Sequence, residues 1–408
     1  MTEIRTHDMA HGGEAVGRSD GKAYFINGAL PHETVTITDV NDRGSFARAR
    51  LLDVVEASAQ RVTPTCPHFG ACGGCQWQYS SYEGQLHMKR DIVEGQLRHL
   101  GRVENPTVRD TVAPGPPLGY RNKMAFNVVD GKPGQFRRGT HIVEPIDACQ
   151  LLVPELAELY AKLGPLEGVD RIVLRTGTRT GQTLVVIDGT VPAQADDWDV
   201  SVVRRDRGRL IRLIGADHIH EVVADVKFRI TGPAFFQVNT PGADQLVALV
   251  GEALDPTVDD VLLDAYSGGG LFTATVGRTA GRVVAVETGP ETVGDLQHNL
   301  RVNDCFNVEM IDARVEDVLA DPVDHWTIAI CDPPRTGLGI EGVMGIAQPR
   351  PRAIAYVSCD PASFARDVRH FSEIGYRLEW ATPVDLFPQS FHVEIVGKLV
   401  EEDVGFGL

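Results

Sequence analysis

The sequence predicts an α/β protein in three parts: a small N-terminal β-barrel, a central α+β region and a C-terminal, Rossmann-like doubly wound sheet. Strand-like and helix-like segments alternate from about residue 237 onward, a pattern typical of a largely parallel sheet. Short strand-like runs separated by turns fill the first 60 residues. The length of 408 residues also exceeds one ordinary core, so roughly two or three domains are expected.

Charge and composition limit the classes of protein that fit. The 39 basic and 56 acidic residues give a net charge of −17, which argues against a protein that coats nucleic acid by charge alone. Two basic runs, at 132–141 and 204–212, are either local binding sites or solvated loops. No stretch reaches the ~18 apolar residues of a membrane helix, and the acidic N-terminus is unlike a secretory signal, so we expect a cytoplasmic protein.

Residues 1–60 form the first predicted domain. The runs "KAYFINGAL", "ETVTITDV" and "FARARLLDVV" have strand character, and the turns "HGGE", "LPHE" and "NDRG" separate such runs. About five short strands in this length predict an OB-like barrel, a shape that often binds oligonucleotides. Barrels of this size also serve as adaptors, so the shape alone does not decide between the two roles.

Three cysteines crowd the start of the second predicted domain, residues 61–235. The run "CPHFGACGGCQWQ" holds Cys66, Cys72 and Cys75 in a C-x5-C-x2-C spacing, which in a reducing compartment indicates metal binding. Cys149 in "IDACQLL" is the nearest candidate for a fourth thiolate. Zinc and an iron–sulfur cluster both take four thiolates. Because the paired C-x2-C knuckles usual for zinc are missing, the spacing favours iron–sulfur.

A helix is predicted at 82–100, and the rest of the second domain has mixed character. The runs "KMAFNVVD", "GVDRIVLRTG", "TLVVIDG" and "VKFRITG" are strand candidates around one helical stretch at 152–163. In "LGYRNKMAF", Arg121, Asn122 and Lys123 precede a strand. These side chains either contact a phosphate or base or form a polar turn, and the topology of the region stays open.

The third predicted domain, residues 236–408, alternates strands with helices. Its strands are "DVLLDAY", "RVVAVE", "VEMIDA", "TIAICD" and "AIAYVSCD", with a helix predicted after each, the first of them from Leu271. The runs "YRLEWATPVDLF" and "HVEIVGKLV" have no helix between them and predict an antiparallel hairpin. In an open sheet of this kind, ligands bind beyond the carboxyl ends of the strands.

Acidic residues end four of these strands. Asp264, Glu287, Asp312 and Asp332 hold these positions, and the loop "SGGG", which includes Gly268, follows the first strand. A carboxylate that ends the second strand can accept both hydroxyls of a ribose. The loop departs from G-x-G-x-x-G, so no pyrophosphate is expected. A cationic adenosine cofactor without phosphate, S-adenosylmethionine, therefore suits these strand ends better than NAD.

A thiol ends the fifth strand, where Cys359 stands in "AIAYVSCDPASFARD". Buried cysteines are usually small hydrophobes inside strands or helices. Cys359 instead lies where a strand meets a polar turn fixed by Pro361, at the edge where such sheets have their chemistry. We therefore interpret Cys359 as a candidate catalytic residue.

Several pieces of the sequence together resemble the RNA uracil-5-methyltransferase family, which includes the tRNA and 23S rRNA 5-methyluridine enzymes. In family order, the matching pieces are "CPHFGACGGCQWQ", "FFQVN", "LLDAYSGGG", "CDPPRTGL", "YVSCDPASFARD" and "FPQSFHVE". Residues 1–60 are similar to the TRAM domain of the rRNA branch. The resemblance implies a class I S-adenosylmethionine-dependent methyltransferase fold for residues 236–408, with a TRAM barrel and an RNA-binding central region before it.

The resemblance also implies roles for particular residues. It implies that the four ligands of a [4Fe–4S] cluster are Cys66, Cys72, Cys75 and Cys149. The cofactor contacts that it implies are Gln237, Tyr266, Glu287 and Asp332. Two positions depart from the family pattern, since Ser267 stands where the family usually has cysteine and Asp360 where it usually has asparagine. The second departure adds a charge beside Cys359.

The chemistry of uracil fits two residues in the matching pieces. Carbon 5 is too weak a nucleophile to take a methyl group unaided, and a thiolate adding at carbon 6 makes an enolate, which is the role expected of Cys359. Glu394 in "HVE" is the candidate base that removes the carbon 5 proton and so releases the thiol.

The same chemistry defines the expected partner. The target base must leave its stack to meet a thiol, so a loop or remodelled hairpin of RNA is the expected substrate. By analogy, the TRAM-like start favours rRNA over tRNA. No segment of the sequence indicates an obligate protein partner.

Rival classes fit less well. A DNA cytosine-5 methyltransferase has a Pro-Cys nucleophile loop followed by Glu-Asn-Val, which this chain lacks. An amino methyltransferase has an aromatic residue after Asp-Pro-Pro, where this chain has Arg335, and a radical enzyme would want a C-x3-C-x2-C cluster. A non-catalytic RNA-binding module with a structural cluster is the alternative from another class, and the presence of both Cys359 and Glu394 in matching contexts argues against it.

Overall fold

The computed structural model of the protein describes residues 3–320 and 325–402. These residues form a closed barrel, two seven-stranded sheets and one separate two-stranded hairpin. The predicted division at residues 60 and 235 stays a prediction, and residues 1–2, 321–324 and 403–408 of the predicted domains lie outside the described residues. Within those ranges, none of the helices has the length and apolar character needed to cross a membrane.

Five strands close the N-terminal barrel that the sequence predicts. They are β1 (Glu3–Met9), β2 (Ala15–Ser19), β3 (Lys22–Asn27), β4 (Thr34–Asp42) and β5 (Phe46–Glu56). Their order is β1-β2-β3-β5-β4, and pairing of β1 with β4 closes the ring. Ile4, Ile26 and Val35 fill the interior, and Trp77 from the cysteine segment packs into the same apolar cluster. The barrel and the cysteine segment therefore share one core.

Helix α1 (Tyr82–His99) joins the barrel to the C-terminal sheet and confirms the helix predicted there. Met88 packs into the barrel cluster, whereas Leu97 packs into the core of the C-terminal sheet. Lys89 is fully buried, with its ammonium 2.5 Å from the equally buried carboxylate of Asp385. Removing one partner of such a pair leaves the other as an uncompensated buried charge. The pair therefore fixes the position of α1 against the residues that precede the last strand.

The central region is a seven-stranded sheet with a separate hairpin. Its elements are β6 (Lys123–Val129), β7 (Lys132–Phe136), β8 (Val143–Pro145), α2 (Pro154–Lys162), β9 (Val169–Thr176), β10 (Thr183–Gly189), β11 (Ser201–Asp206), β12 (Arg209–Ile214), β13 (His218–Val223) and β14 (Val226–Thr231). The sheet order is β12-β11-β10-β9-β6-β7-β8, and β13 pairs only with β14. All four strand candidates and the helix are present, and β7, β8 and β11 to β13 are additions to them.

The two basic runs take different places in this region. Residues 204–212 span the β11–β12 hairpin at one edge of the sheet. Residues 132–141 form β7 and the exposed turn toward β8, which carries Arg137 and Arg138. Asn122 is buried and donates to the carbonyl oxygen of Gln237, so it joins the central region to the segment before the C-terminal sheet.

The C-terminal part is the doubly wound sheet that the sequence predicts. Its elements are α3 (Thr240–Leu254), β15 (Val261–Ala265), β16 (Arg282–Glu287), α4 (Pro290–Val302), β17 (Val308–Asp312), α5 (Val315–Ala320), β18 (Ile328–Cys331), α6 (Gly339–Ala347), β19 (Ala353–Ser358), α7 (Pro361–Glu373), β20 (Tyr376–Val384) and β21 (Glu394–Glu401). The strand order is β17-β16-β15-β18-β19-β21-β20. The first five strands are parallel, while β21 is antiparallel to both of its neighbours, as the predicted closing hairpin requires.

Burial on both faces explains why these strands are continuous apolar runs. Every residue of β19 is buried, and a parallel strand covered by helices on both sides needs such a run. The chain winds outward from β15 in both directions, toward β16 on one side and toward β18 on the other. An open sheet binds its ligand at this reversal of strand order, beyond the carboxyl ends of the strands.

The helix predicted from Leu271 is wrong. Residues 271–275 form turns, and one short 3₁₀ segment, Val276–Thr279, follows them. The Thr273 hydroxyl donates to the carboxylate of Asp264, and the Thr275 hydroxyl donates to the carbonyl oxygen of Leu271. The bond from Thr273 ties the segment to the end of β15, and β-branched threonines lower helix propensity further.

Candidate active site

Glu287 organises the glycine loop that follows β15. Its carboxylate accepts hydrogen bonds from the amides of Gly268, at 2.9 Å, and Gly289, at 2.8 Å, and from the Thr292 hydroxyl at 2.9 Å. Gly268 has a φ of +55° and open space where a Cβ would stand. A backbone in this conformation, with nothing above it, lets a ligand approach closely. The carboxylate therefore anchors the loop at the edge of the sheet, and the three donors leave roughly one of its four lone-pair positions open.

Asp264 and Asp332 form an acidic pair at the reversal of strand order. Burial raises the pKa of Asp264 to about 7, and the nearby Glu287 charge adds to the rise. Burial likewise raises the pKa of Asp332 to about 7, with a further contribution from the Asp264 charge. One oxygen of Asp264 accepts from Thr273, whereas its other, buried oxygen has no hydrogen-bond donor among the residues that the structure describes. Such a pair would be stabilised by a cationic ligand.

The other predicted cofactor contacts surround this pair. Tyr266 has a φ of +64°, uncommon for a residue with a side chain, and its hydroxyl donates to Glu316. Gln237 is buried in the segment that Asn122 holds. Asp312 is exposed and lies beside Glu287 in the register of β16 and β17. The structure thus brings the predicted strand-end acids to one edge of the sheet.

Ser267, one of the two departures from the family pattern, has a structural partner. Its amide donates to the carbonyl oxygen of Val286 at 3.0 Å, and its hydroxyl donates to the same oxygen at 3.3 Å. The side chain is buried, so its hydroxyl needs such an acceptor. Serine at this position therefore joins the start of the glycine loop to β16.

Cys359 stands half-buried between the end of β19 and the start of α7. Burial raises the pKa of its thiol to about 11, the Glu394 charge adds to the rise, and the Arg335 guanidinium opposes it. The next residue, Asp360, is the N-cap of α7 and accepts from the amides of Ala362 and Ser363. The cap fixes the turn, and so the direction of the thiol, by hydrogen bonds to the helix itself.

Glu394 lies across from Cys359. In the antiparallel pair of β19 and β21, Ser358 is opposite Ile395, so the next step of the register sets position 359 opposite position 394. Glu394 is 4% exposed, and burial, together with the Asp332 charge, raises its pKa well above the ordinary value, against the pull of Arg335. The Cys359 thiol and the Glu394 carboxyl group therefore lie near one another at the carboxyl edge of the sheet.

A small cavity of about 170 Å³ opens onto Cys359. Its lining residues come from four stretches of the chain and are His11, Arg335, Cys359, Asp360, Pro361, Phe391, His392 and Val393. The contributions of the barrel and of Arg335 were not predicted from the sequence. The sequence indicates His11 only indirectly. A carboxylate at position 360 lies beside the nucleophile, so a positively charged side chain is expected near it.

The segment 385–393, just before Glu394, is held by residues near the cysteine cluster. The carbonyl oxygen of Gln389 accepts from the amides of Gln76 at 2.9 Å and Trp77 at 3.0 Å. The Gln85 side chain of α1 exchanges two hydrogen bonds with Gln389, whose φ is +70°. Several contacts together therefore hold Gln389 in an uncommon backbone conformation, close in the chain to the candidate base Glu394.

The four predicted cluster cysteines lie in one half-buried region. Burial raises the pKa of Cys75 to about 12, and the charges of the other three thiols contribute to the rise. The Gln78 side-chain amide donates to the Cys75 sulfur at 3.4 Å, and the Gly74 amide donates to the Cys72 sulfur, also at 3.4 Å. Amide donors directed at sulfurs are typical of thiolate clusters.

In residues 3–320 and 325–402, no three histidine, cysteine or acidic groups come together closely enough to hold a metal ion. By their chemistry, four thiols with amide donors directed at two of them suit both metal alternatives, since zinc and an iron–sulfur cluster each take four thiolates.

Strand order and strand ends together define the class: this is a class I methyltransferase fold with an acidic pair at the reversal of strand order and a thiol at the end of β19. The family described as tRNA (uracil-5-)-methyltransferase matches residues 190–402. The chain belongs to this family and is an RNA methyltransferase.

Relatives and a solved structure match nearly the whole chain. The chain is 34% identical to a protein named as an uncharacterised RNA methyltransferase of Gloeobacter violaceus, over 96% of this chain and 94% of the relative. It is 32% identical to another so named from Streptomyces coelicolor, over 97% and 92%. The Pyrococcus abyssi tRNA (uracil-54, C5)-methyltransferase, solved with S-adenosyl-L-homocysteine, is 25% identical, with a TM-score of 0.77 over 98% of this chain and 100% of that chain.

Proposed function

We propose that the protein methylates carbon 5 of a uridine in RNA, with S-adenosylmethionine as methyl donor and Cys359 as a covalent nucleophile. The observation that carries the proposal is the end of the β19–β21 register, Ser358 opposite Ile395, which brings the adjacent residues Cys359 and Glu394 close enough for the charge of Glu394 to act on the thiol. Membership of the family supports the reaction type, and the S-adenosyl-L-homocysteine bound to the archaeal relative supports the donor.

The residues support an order of addition, methyl transfer and proton loss. The Cys359 thiolate adds to carbon 6 of uracil, so that carbon 5 gains the electron density of an enolate. S-adenosylmethionine, when bound, supplies a methyl group on a positively charged sulfur. Glu394, once ionised, accepts the proton from carbon 5, and the bond from carbon 6 to the Cys359 sulfur breaks as the ring double bond re-forms. Arg335 favours the ionised forms of both residues.

We place the donor beyond β15, β16 and β18. A cationic donor suits Asp264 and Asp332, because its charge would lower the raised pKa values of both carboxyls and its polar groups could meet the unpaired Asp264 oxygen. Glu287 is the candidate ribose acceptor. The remaining proposed contacts are Gln237, Tyr266, Gly268 and Asp312.

Glu287→Ala should weaken S-adenosylmethionine binding by ~10–100-fold. The substitution removes the ribose acceptor and also the anchor of the Gly268 and Gly289 amides. Isothermal titration calorimetry checks this result, with Glu291→Ala, an exposed position on the first turn of α4, as the matched control. Equal affinity in the Glu287→Ala variant and the wild type would mean that Glu287 does not contact the ribose.

We propose that Cys66, Cys72, Cys75 and Cys149 hold a [4Fe–4S] cluster with a structural role. The Gln78 side chain connects two of them, because it accepts from the Cys66 amide and donates to the Cys75 sulfur. Gln76 and Trp77 follow directly and hold the Gln389 carbonyl oxygen. The cluster would therefore order the segment that supports the last strand. Free thiols need a reducing compartment, which supports a cytoplasmic location.

The protein purified without oxygen should be brown and contain about four irons per chain. Iron analysis and the visible absorption spectrum check this, and Cys75→Ser should lose both signals. Cys305→Ala is the matched control, since Cys305 is buried far along the chain from the four. Stoichiometric zinc in a colourless protein would contradict the proposal.

A basic groove supports RNA as the substrate of this acidic protein. The groove, of about 830 Å³, lies between the barrel and the turn after β7, and its basic residues are His11, Arg48, Arg50, Arg137 and Arg138. His11 also lines the cavity at Cys359, so groove and cavity meet at this residue. Arginines along a groove can follow a phosphate backbone, and the base enters the cavity at its end.

Two RNA classes are candidates. The TRAM-like barrel favours rRNA by analogy. The archaeal tRNA enzyme matches 98% of this chain, the barrel included, which favours tRNA as the second candidate. Mapping 5-methyluridine in rRNA and tRNA from cells with and without the protein decides between them: a site lost from only one RNA class identifies the substrate. No lost site in either class would contradict the proposed function.

A further inference from the structure

The barrel reaches the nucleophile turn through one side chain. His11 lies in the turn between β1 and β2, and its Nε2 is 3.2 Å from Oδ2 of Asp360, at the start of α7. The two side chains are 33% and 26% exposed, so the pair is partly shielded from water. The contact spans 349 positions of the chain and is made directly beside Cys359.

The turn that carries His11 is itself held in place. The backbone at Gly13 lies so close to Trp77 and Phe391 that an added Cβ would be 3.0 Å from the Trp77 ring nitrogen and 3.1 Å from Phe391. The Arg138 guanidinium donates to the carbonyl oxygen of Gly12 at 3.2 Å. His11 is therefore presented to Asp360 by a fixed backbone.

The charge of Asp360 has a consequence that its capping role does not require. Oδ1 alone accepts from the amides of Ala362 and Ser363, a cap that an asparagine would make equally well. Partial burial opposes ionisation of Asp360, but the hydrogen bonds from His11 and Ser363 lower its pKa to about 2. The Asp360 carboxylate is therefore charged at neutral pH. It lies next to the Cys359 thiol, which must also become negative to act as the nucleophile.

We propose that His11 is a positioning residue, which in its protonated form neutralises Asp360 and so keeps Cys359 able to ionise. The proposal rests on Cys359 being the nucleophile. It also explains why a carboxylate is tolerated at position 360: the barrel supplies its counter-charge. The barrel and the nucleophile turn are then joined by an ion pair, beside the packing of Phe391 against the barrel cluster.

Other charges face this pair and are held constant in its test. On the catalytic side they are Arg335, Cys359 and His392, which line the same cavity. On the barrel side they are Glu14, Arg48, Arg50, Arg137 and Arg138, which line the groove beyond His11. None of these residues is changed in the variants below, so a shift in the reactivity of Cys359 reports the His11–Asp360 pair.

The test measures alkylation of Cys359 by iodoacetamide as a function of pH, with peptide mass spectrometry to separate it from the other thiols. His11→Ala should slow alkylation by about three- to tenfold at pH about 6, below the ordinary imidazole pKa of about 6.5, and leave the rate unchanged at pH about 9. His11→Gln, which keeps a neutral donor, should give the same loss at pH about 6. Asp360→Asn in the His11→Ala background should restore the wild-type rate at that pH, because it removes the charge and keeps the cap. His7→Ala, exposed on β1, is the matched control and should leave the profile unchanged.

Two outcomes overturn the proposal: an unchanged profile in His11→Ala, or a slow profile that Asp360→Asn does not restore. The second would mean that His11 acts through barrel docking rather than charge. Alkylation requires neither RNA nor the methyl donor. A failed prediction about His11 can therefore be distinguished from failure of the proposed function. That function fails if a variant without the Cys359 thiol still methylates RNA, whatever the alkylation profile.

Discussion

Cys359→Ala should abolish RNA methylation, with a loss of about 10⁴-fold or more, the scale seen when a covalent nucleophile is removed. Without addition of a thiolate at carbon 6, carbon 5 never becomes nucleophilic enough to accept the methyl group. Transfer of labelled methyl groups from S-adenosylmethionine to RNA measures the loss. The same variant should form no protein–RNA adduct on a denaturing gel.

Cys305→Ala is the control for this result. Cys305 is also a buried thiol, but it lies after α4, away from the end of β19. Its replacement should leave methylation within about twofold of the wild type, since no reacting group is removed. Methylation by Cys359→Ala, or an adduct that still traps RNA in this variant, would show that another residue is the nucleophile.

Glu394→Gln should fail at a different step and accumulate a methylated protein–RNA adduct. Addition and methyl transfer need only Cys359 and the donor, whereas release of the thiol needs a base for the carbon 5 proton. The adduct should survive denaturing electrophoresis and carry label from the donor methyl group. Turnover should fall by about 10²–10⁴-fold, the usual contribution of general base catalysis.

The surroundings of residue 394 indicate that Glu394→Gln should perturb the fold little. Burial raises the pKa of Glu394 well above its ordinary value, and glutamine has nearly the same shape without a charge to bury. Glu379→Gln on β20, a partly exposed carboxylate 3.3 Å from Lys398, is the matched control and should turn over normally. Wild-type turnover by Glu394→Gln, or an adduct without methyl label, would exclude Glu394 as the base.

The features that could be predicted from the sequence are those determined by the residues of a single strand or helix. The fully buried strand β19 is an unbroken apolar run, and the acids that end β15, β16 and β18 meet at one edge simply because parallel strands end together. The position of Glu394 opposite Cys359 also follows from the predicted hairpin once β21 is placed beside β19. The assignment of roles to these residues rests on the family resemblance and stays a prediction.

The rest depends on contacts that no local pattern contains. The helix expected at Leu271 is displaced by threonine hydroxyls, one of which donates to Asp264, nine positions earlier in the chain. In the central region, β6 pairs with β9 as well as with its sequence neighbour β7. The pairing with β9 is set by tertiary contacts between residues far apart in the sequence. The contact of His11 with Asp360 is the extreme case, since each residue alone is typical of a surface turn.

The buried Lys89–Asp385 pair bears on how such enzymes can be recombined. Asp385 belongs to the chain segment before the last strand, but the buried cation that pairs with it, Lys89, comes from α1, and Gln85 on the same helix holds Gln389. A fragment cut at residue 235 would therefore carry an unpaired buried carboxylate and an unsupported loop next to Glu394. Exchange of catalytic parts between relatives, in a laboratory chimera or in evolution, should succeed only when α1 and the segment after β20 are inherited together.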